Sequence, residues 1–263
     1  MLAQELPVDA RIKARSATDG IEIVDGRYRV KLATTLLEVE SALRLRYEVF
    51  RMELSEAPAD DDPSRLEFDE HDFKCRHLIV IDRTTAKTVG TYRLNSIESS
   101  GGLAGFYSYG EFQIEELPAD VLRGGVEIGR ACITPEHRNT KVLFLLWKGL
   151  ATYLRFEGKR FFFGCCSIFT RDESVGARAW RYLATSGCLH ESFRVVPRKN
   201  CVDLSVAHSS ESVELPNLFN MYLRIGARVC GPPVIDHEFG TIDFFVVCDT
   251  ETINHKYRRM FFS

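Results

Sequence analysis

The sequence predicts an α/β fold built around a mixed sheet and extended at its C-terminus, and three observations carry that prediction. Residues 28–32, 77–82, 88–94 and 241–248 are apolar or alternate at period two, as strands do, whereas residues 142–154 repeat apolar side chains at helical spacing. The two kinds of segment interleave along the chain, the order expected when helices flank a sheet. Residues 126–139 read as a buried strand, a polar turn and a helix start, an arrangement that aims backbone N–H groups at an anionic phosphate or a developing oxyanion.

Composition bounds the rest. The chain has 263 residues, 45% hydrophobic and 27% charged, with a net charge of −3, so it can bury a real core and has no global field that would draw nucleic acid. Residues 1–20 are polar and unpatterned, a probable flexible tail in composition, and residues 21–263 are expected to form a single domain. The N-terminus lacks the apolar core of a secretory signal, and Lys148 divides the most lipid-like stretch, so a cytoplasmic location is expected. Eight cysteines include no CxxC pair, which favours reduced, mostly buried thiols over zinc or a disulfide framework.

Along the chain, residues 21–32 alternate around Gly26 and predict a hairpin. Leu36, Val39, Leu43, Tyr47 and Phe50 then fall at helical spacing within 35–52. Residues 55–73, acidic and interrupted by Pro58 and Pro63, predict a long loop of the kind that is often functional. Residues 77–82 and 88–94 should pair antiparallel across a short turn. A helix is expected from Lys141 to about Glu157, burying Val142, Leu145, Leu146, Gly149, Leu150, Tyr153 and Leu154, with Gly158 as its stop. Residues 160–167 predict a buried strand, 172–186 and 215–225 two helices, and 241–248 a closing strand. Residues 257–262 mix cations with aromatics; a strand or tail packed on the core is expected there, with contact to an anionic membrane surface as the alternative.

The order strand, hairpin, strand, Pro-containing turn, helix, strand resembles the GNAT superfamily of N-acyltransferases, which implies a twisted, mostly antiparallel sheet flanked by helices. Arg46, Phe50, Asp69, Asp72, Arg93, Glu127 and Arg130 look like the polar signature of acyl-homoserine lactone synthases. A closer similarity is to the ornithine-lipid N-acyltransferases, also labelled hemolysin-like, in LRYEVF, FDEHDF, GTYRL, GFYSYGEF, EIGRACITPEHR, LLWKGLATYL, FGCCS, LPNLFNMYLRIGA and IDHEFGTIDFFVV. It covers roughly residues 30–260. The resemblance implies a 3-hydroxy fatty acyl group on acyl carrier protein as donor and ornithine as the usual acceptor. The superfamily's glycine-rich pyrophosphate loop is degenerate here, Arg138-Asn-Thr-Lys-Val142, which argues against acyl-CoA as donor.

Aminolysis of a thioester needs a neutral amine, a stabilised oxyanion and a positioned donor, with no bound cofactor, metal or acyl-enzyme. Glu127 is the expected general base, with Arg130 beside it. Residues three apart on a strand face opposite sides, so a direct Glu127–Arg130 pair would need a bulge, and separate roles are expected. Asp69 and Asp72 could hold an ammonium group, or form a solvated acidic loop. Arg46 and Arg93 could clamp the acceptor carboxylate, or organise those aspartates through bidentate hydrogen bonds. Phe50 completes the expected acceptor site. The donor's pantetheine arm is expected against Ile133, Arg138, Asn139, Thr140, Lys141, Val142 and Ser167.

Lys141, Lys148 and Arg155 recur every seven residues, with Lys159 just beyond, so Lys148, Arg155 and Lys159 are the expected docking cations for an acidic carrier protein, or merely a solvated helix face. Adjacent Cys165 and Cys166 face opposite sides of a strand and lack a histidine partner, which argues against a catalytic thiol. His71, His77 and His137 lack metal-ligand spacing and read as ordinary loop polarity. The alternatives are acylation of glycine or another amino acid, lactone-type signal synthesis from S-adenosylmethionine and, in a different class, a silent acyl-carrier or lipid-binding module.

Overall fold

The computed structural model describes residues 21–54, 63–206 and 213–262; the proposed tail at 1–20 lies outside them. In chain order the elements are β1 (Glu22–Asp25), β2 (Tyr28–Leu32), α1 (Leu36–Arg46), a π-helical continuation (Tyr47–Glu53), β3 (Arg76–Asp82), β4 (Lys87–Ser96), α2 (Ile97–Ser100), α3 (Tyr107–Glu111), α4 (Ala119–Arg123) and β5 (Gly125–Ile133). They continue with α5 (Thr140–Phe156), β6 (Phe161–Ile168), α6 (Glu173–Thr185), α7 (Asn217–Ile225), β7 (Arg228–Val229), β8 (Val234–Asp236), β9 (Thr241–Asp249) and α8 (His255–Phe261). The expected class, mixed α/β with mostly antiparallel pairing, is the class observed.

Contacts divide the described residues into two compact units, one drawn from 21–95 and Ile128–Gly158, the other from Ser96–Glu127 and Lys159–Phe261. In the first, β1, β2, β3 and β4 form consecutive antiparallel pairs, with Val30 opposite Val80 and Leu78 opposite Tyr92. Helix α5 buries Val142, Leu145, Leu146, Leu150, Tyr153 and Leu154, the face the spacing predicts. Its close approach to the strands depends on Gly149, where an added Cβ would stand 2.9 Å from both Leu78 and Val30. Helix α1 opens on a capping box between Thr35 and Glu38 and, beyond Arg46, loosens into π geometry, with Leu54 N–H donating five residues back to Val49.

The second unit centres on β6. It pairs in parallel with the first three residues of β5 and antiparallel with β9 over its whole length, and β9 in turn carries β7 and β8. One face of β6 and β9 presents Phe161, Phe163, Phe245 and Val247 to Phe106, Phe112 and Ile114. Residues 255–261 form helix α8 instead of the expected strand or tail, with Phe261 buried and Arg258, Arg259 and Met260 outward. The long unbranched side chains of Lys256, Arg258, Arg259 and Met260 favour that helix. No helix among the described residues is long and apolar enough to cross a membrane.

Candidate active site

The first unit encloses a salt-bridge cluster that contains five of the sequence-predicted site residues. Arg46, fully buried, donates to both oxygens of Asp72 at 2.6 and 3.0 Å and from Nε to Glu67. Arg93 donates to both oxygens of Asp69 at 2.6 and 2.7 Å and lies 3.3 Å from Asp72. Arg130 bridges Glu67 at 3.2 Å and Asp69 at 2.9 Å. Backbone N–H groups of Asp69 and His71 close the remaining acceptors, as the capping box of a short turn at Glu70–Phe73. Three guanidinium groups thus meet three carboxylates with no charge left over.

Electrostatics follow from that balance. Burial alone would raise the Asp72 carboxyl, yet the Arg46 and Arg93 charges hold it well below the usual carboxylate range. Burial would likewise lower Arg46, and Asp72 with Glu67 more than offset it. His77 lies on the strand expected at 77–82 and is buried beside this cluster, its Nε2 3.4 Å from the Asp72 carbonyl. Burial depresses it to about 4, with Asp72 opposing and Arg46 and Arg93 adding to the effect. The arginines therefore organise the aspartates, one of the two readings open from the sequence. Arg46 is too deep to clamp a substrate carboxylate, and neither aspartate has an uncompensated charge for an ammonium group. Phe50 is buried in the π-helical turn.

Glu127 belongs to the second unit, where it closes the start of α3. Its Oε1 accepts from the Ser108 N–H at 2.8 Å and hydroxyl at 2.6 Å, and Oε2 accepts from the Tyr107 N–H at 3.0 Å. Oε2 has a lone pair left over from these bonds. Three residues on, Arg130 adopts φ 50°, a left-handed conformation costly for a side chain with a Cβ, and directs its guanidinium to Glu67 and Asp69. Glu127 and Arg130 thus have different hydrogen-bond partners, with the left-handed backbone at Arg130 interrupting the strand's regular alternation between them.

At the expected donor turn, Asn139 caps α5 by accepting from the Val142 N–H at 3.0 Å. Arg138 is engaged by Glu53 and by the Ile133 carbonyl, and Lys141 by Asp25, while Val142 is buried. Thr140 opens the helix, and Ser167 lies on β6 in register with Asp243. The docking cations do not form a free stripe: Lys159 is nearly enclosed, giving its ammonium to Glu98 and the Arg123 carbonyl at 2.7 Å each. Arg155 donates to the Phe262 carbonyl, leaving half-buried Lys148 as the cation of the three with least engagement. All eight cysteines are free, and burial pushes the Cys165 and Cys166 thiols far up, which removes them as thiolate nucleophiles.

Sequence reasoning missed four acids. Glu67 completes the arginine cluster. Glu111, Asp236 and Asp243 are buried in the second unit, and Glu111 is raised to about 7 by burial and by the charges of Asp236 and Asp243, with Lys199 opposing. The available signal was their position inside GFYSYGEF and IDHEFGTIDFFVV, stretches that carry the family resemblance.

Residues 45–148 match the family described as Acetyltransferase (GNAT) domain, which places the chain in the class of acyltransferases. The L-ornithine N(alpha)-acyltransferase of Rhodobacter capsulatus is 31% identical over 89% of this chain and 94% of its own, and that of Brucella abortus is 31% identical over 93% of each. The chain belongs to this family of N-acyltransferases. Among solved structures, a CoA-dependent acyl-homoserine lactone synthase, BjaI, superposes with a TM-score of 0.48 at 12% identity, covering 84% of this chain and 81% of that one.

Proposed function

We propose that the protein transfers a 3-hydroxy fatty acyl group from acyl carrier protein to the α-amino group of ornithine, giving N-acylornithine, the single-chain precursor of an ornithine lipid. The observation that carries the acceptor is the near-full-length similarity to relatives that bear the name L-ornithine N(alpha)-acyltransferase. Glu127 accepts the amine proton, directly or through water, at the lone pair left on Oε2. The freed amine attacks the thioester carbonyl, the C–S bond breaks, and the phosphopantetheine thiolate leaves and is protonated. Arg130, tied to Glu67 and Asp69, fixes the strand just beyond the base.

The donor turn favours a carrier protein over coenzyme A. Arg138 and Lys141 are already neutralised by Glu53 and Asp25, and the turn lacks the glycines that would let its backbone approach a pyrophosphate. A pantetheine arm, apolar and uncharged along most of its length, asks less of that turn. The partner would be an acidic carrier protein met near Lys148, and the product an amphiphile released beside a membrane surface. Incubation with L-ornithine and either 3-hydroxyacyl carrier protein or the matching acyl-CoA, followed by mass spectrometry, tests the reading. N-acylornithine formed at least tenfold faster from the carrier protein supports it; equal rates overturn the donor, and no product overturns the reaction.

A further inference from the structure

In the second unit, strand register brings several carboxylates to one face. Asp243 of β9 is opposite Ser167 of β6 and Val234 of β8, and Asp236, two residues beyond Val234, is opposite Thr241. Directly opposed residues share a face, as do residues two apart, so Asp236 and Asp243 project to the same side. On β6 that side also carries Cys165 and Phe163, and Phe163 is the parallel partner of Glu127. Helix α3 covers it, adding Tyr107, Ser108 and Glu111. Tyr107 bonds to both Glu127 and Asp236, and Asp236 shares its face with Asp243, so these acids gather under the helix that carries Glu111.

These carboxylates differ in how well they are satisfied. Glu127 takes three hydrogen bonds from Tyr107 and Ser108. Asp236 accepts from the Tyr107 hydroxyl and from the backbone of Glu238 and Phe239, and Asp243 from the Thr241 hydroxyl at 2.8 Å. Glu111 is only 6% exposed, and its Oε2 is buried with no hydrogen-bond partner among the described residues. A buried acceptor without a partner is costly, more so when charged, so its retention calls for a ligand. The other oxygen shows which chemistry fits, because the Lys199 ammonium stands 3.4 Å from it, reaching in from a half-exposed stem.

We propose that Glu111, with Asp236 and Asp243 behind it, forms a subsite for the side-chain ammonium of a diamino-acid acceptor, and so selects ornithine over amino acids that have a single amine. An alkylammonium ion brings three N–H donors, enough to satisfy Glu111 Oε2 and still meet a neighbouring carboxylate. Its charge would favour the ionised carboxylate that burial, and then Asp236 and Asp243, disfavour at Glu111. An isosteric acceptor with a terminal methyl group would leave the carboxylate unpaired, the circumstance in which a polar site discriminates most strongly. The inference rests on the acceptor reading above, but binding and transfer can fail separately.

The test compares L-ornithine with norvaline, which has the same carbon chain without the second amine, by calorimetric titration of the full-length protein. Wild type binds ornithine at least tenfold more tightly, and Glu111→Gln reduces the ratio to within about threefold while norvaline binding is unchanged. Asp243→Asn, judged by the same ratio, provides a second reading if Glu111→Gln does not fold. Equal affinities in the wild type, no binding of ornithine, or a ratio untouched by both substitutions overturns the subsite. Acylation of ornithine and norvaline at equal rates would leave the transfer reaction standing without the subsite. Glu111-dependent ornithine binding without any acylation would do the reverse.

Discussion

The two units each bury a group of carboxylates, and they neutralise them by opposite means. Around Arg46, Arg93 and Arg130, charge meets charge: Glu67, Asp69 and Asp72 are bound by guanidinium groups, and burial only tightens the arrangement. Around α3, neutral donors satisfy Glu127, Asp236 and Asp243, and Glu111 keeps an oxygen without a partner. The first group is complete as it stands and has little to offer an incoming charge. The second has excess negative charge, partly relieved by Lys199, and is the one a cationic substrate would improve. The residues that most resemble a binding site in sequence thus form a structural clasp, and acids that attract no attention in sequence form the receptive surface.

The largest expected effect breaks the clasp. Arg46→Met strands Asp72 and Glu67 in the interior, and urea unfolding should show a loss of about 3–5 kcal/mol. Replacing Arg46 and Asp72 together with apolar side chains of similar size, which leaves two guanidinium groups with two carboxylates, should cost less, because the stranded charge, not the lost pair, is the penalty. In the other unit, Glu127→Gln should lower turnover about 100-fold while circular dichroism stays unchanged. Full activity in that variant would move the base elsewhere.

Smaller effects separate the two groups by pH. His77 is depressed to about 4 in the folded protein, so between its ordinary value near 6.5 and about 4 the unfolded chain binds the extra proton. Stability should fall as the pH drops through that window, and His77→Gln should flatten the decline in thermal melts. Glu111 behaves in the opposite sense. Burial, with the charges of Asp236 and Asp243, raises its carboxyl to about 7 against the opposing charge of Lys199, so stability falls as the pH rises from about 4.5 to 7. Glu111→Gln should therefore melt a few degrees higher than wild type at pH 8 and no higher at pH 4. The smallest effect concerns docking: Lys148→Glu should raise KM for the carrier protein by roughly threefold at low salt and less at high salt, since a single charge at a half-buried surface position is readily screened.

Much of the fold was legible because local chemistry fixes it. The apolar spacing from Val142 to Leu154 and the stop at Gly158 define α5 to within a residue or two, while the cap at Asn139 emerged only in the structure. Arg46, Phe50, Asp69, Asp72, Arg93, Glu127 and Arg130 could be read as one set only through the family resemblance, which gave no pairing, and Glu67 was lost in an acidic stretch where nothing local distinguishes one carboxylate from another. Glu111, Asp236 and Asp243 meet only through the register of β6, β8 and β9, a long-range relation that no spacing along the chain encodes. The C-terminal helix was misread because aromatic and basic residues suit either a packed strand or a short amphipathic helix.

The account as a whole holds that one amine of the acceptor is retained as an ammonium ion while the other is deprotonated and acylated. Tandem mass spectrometry of the product from L-ornithine and 3-hydroxyacyl carrier protein reads this directly. The account predicts the acyl group on the α-nitrogen alone, with the δ-amine unmodified. Acylation of the δ-nitrogen, or of both nitrogens without preference, would contradict it.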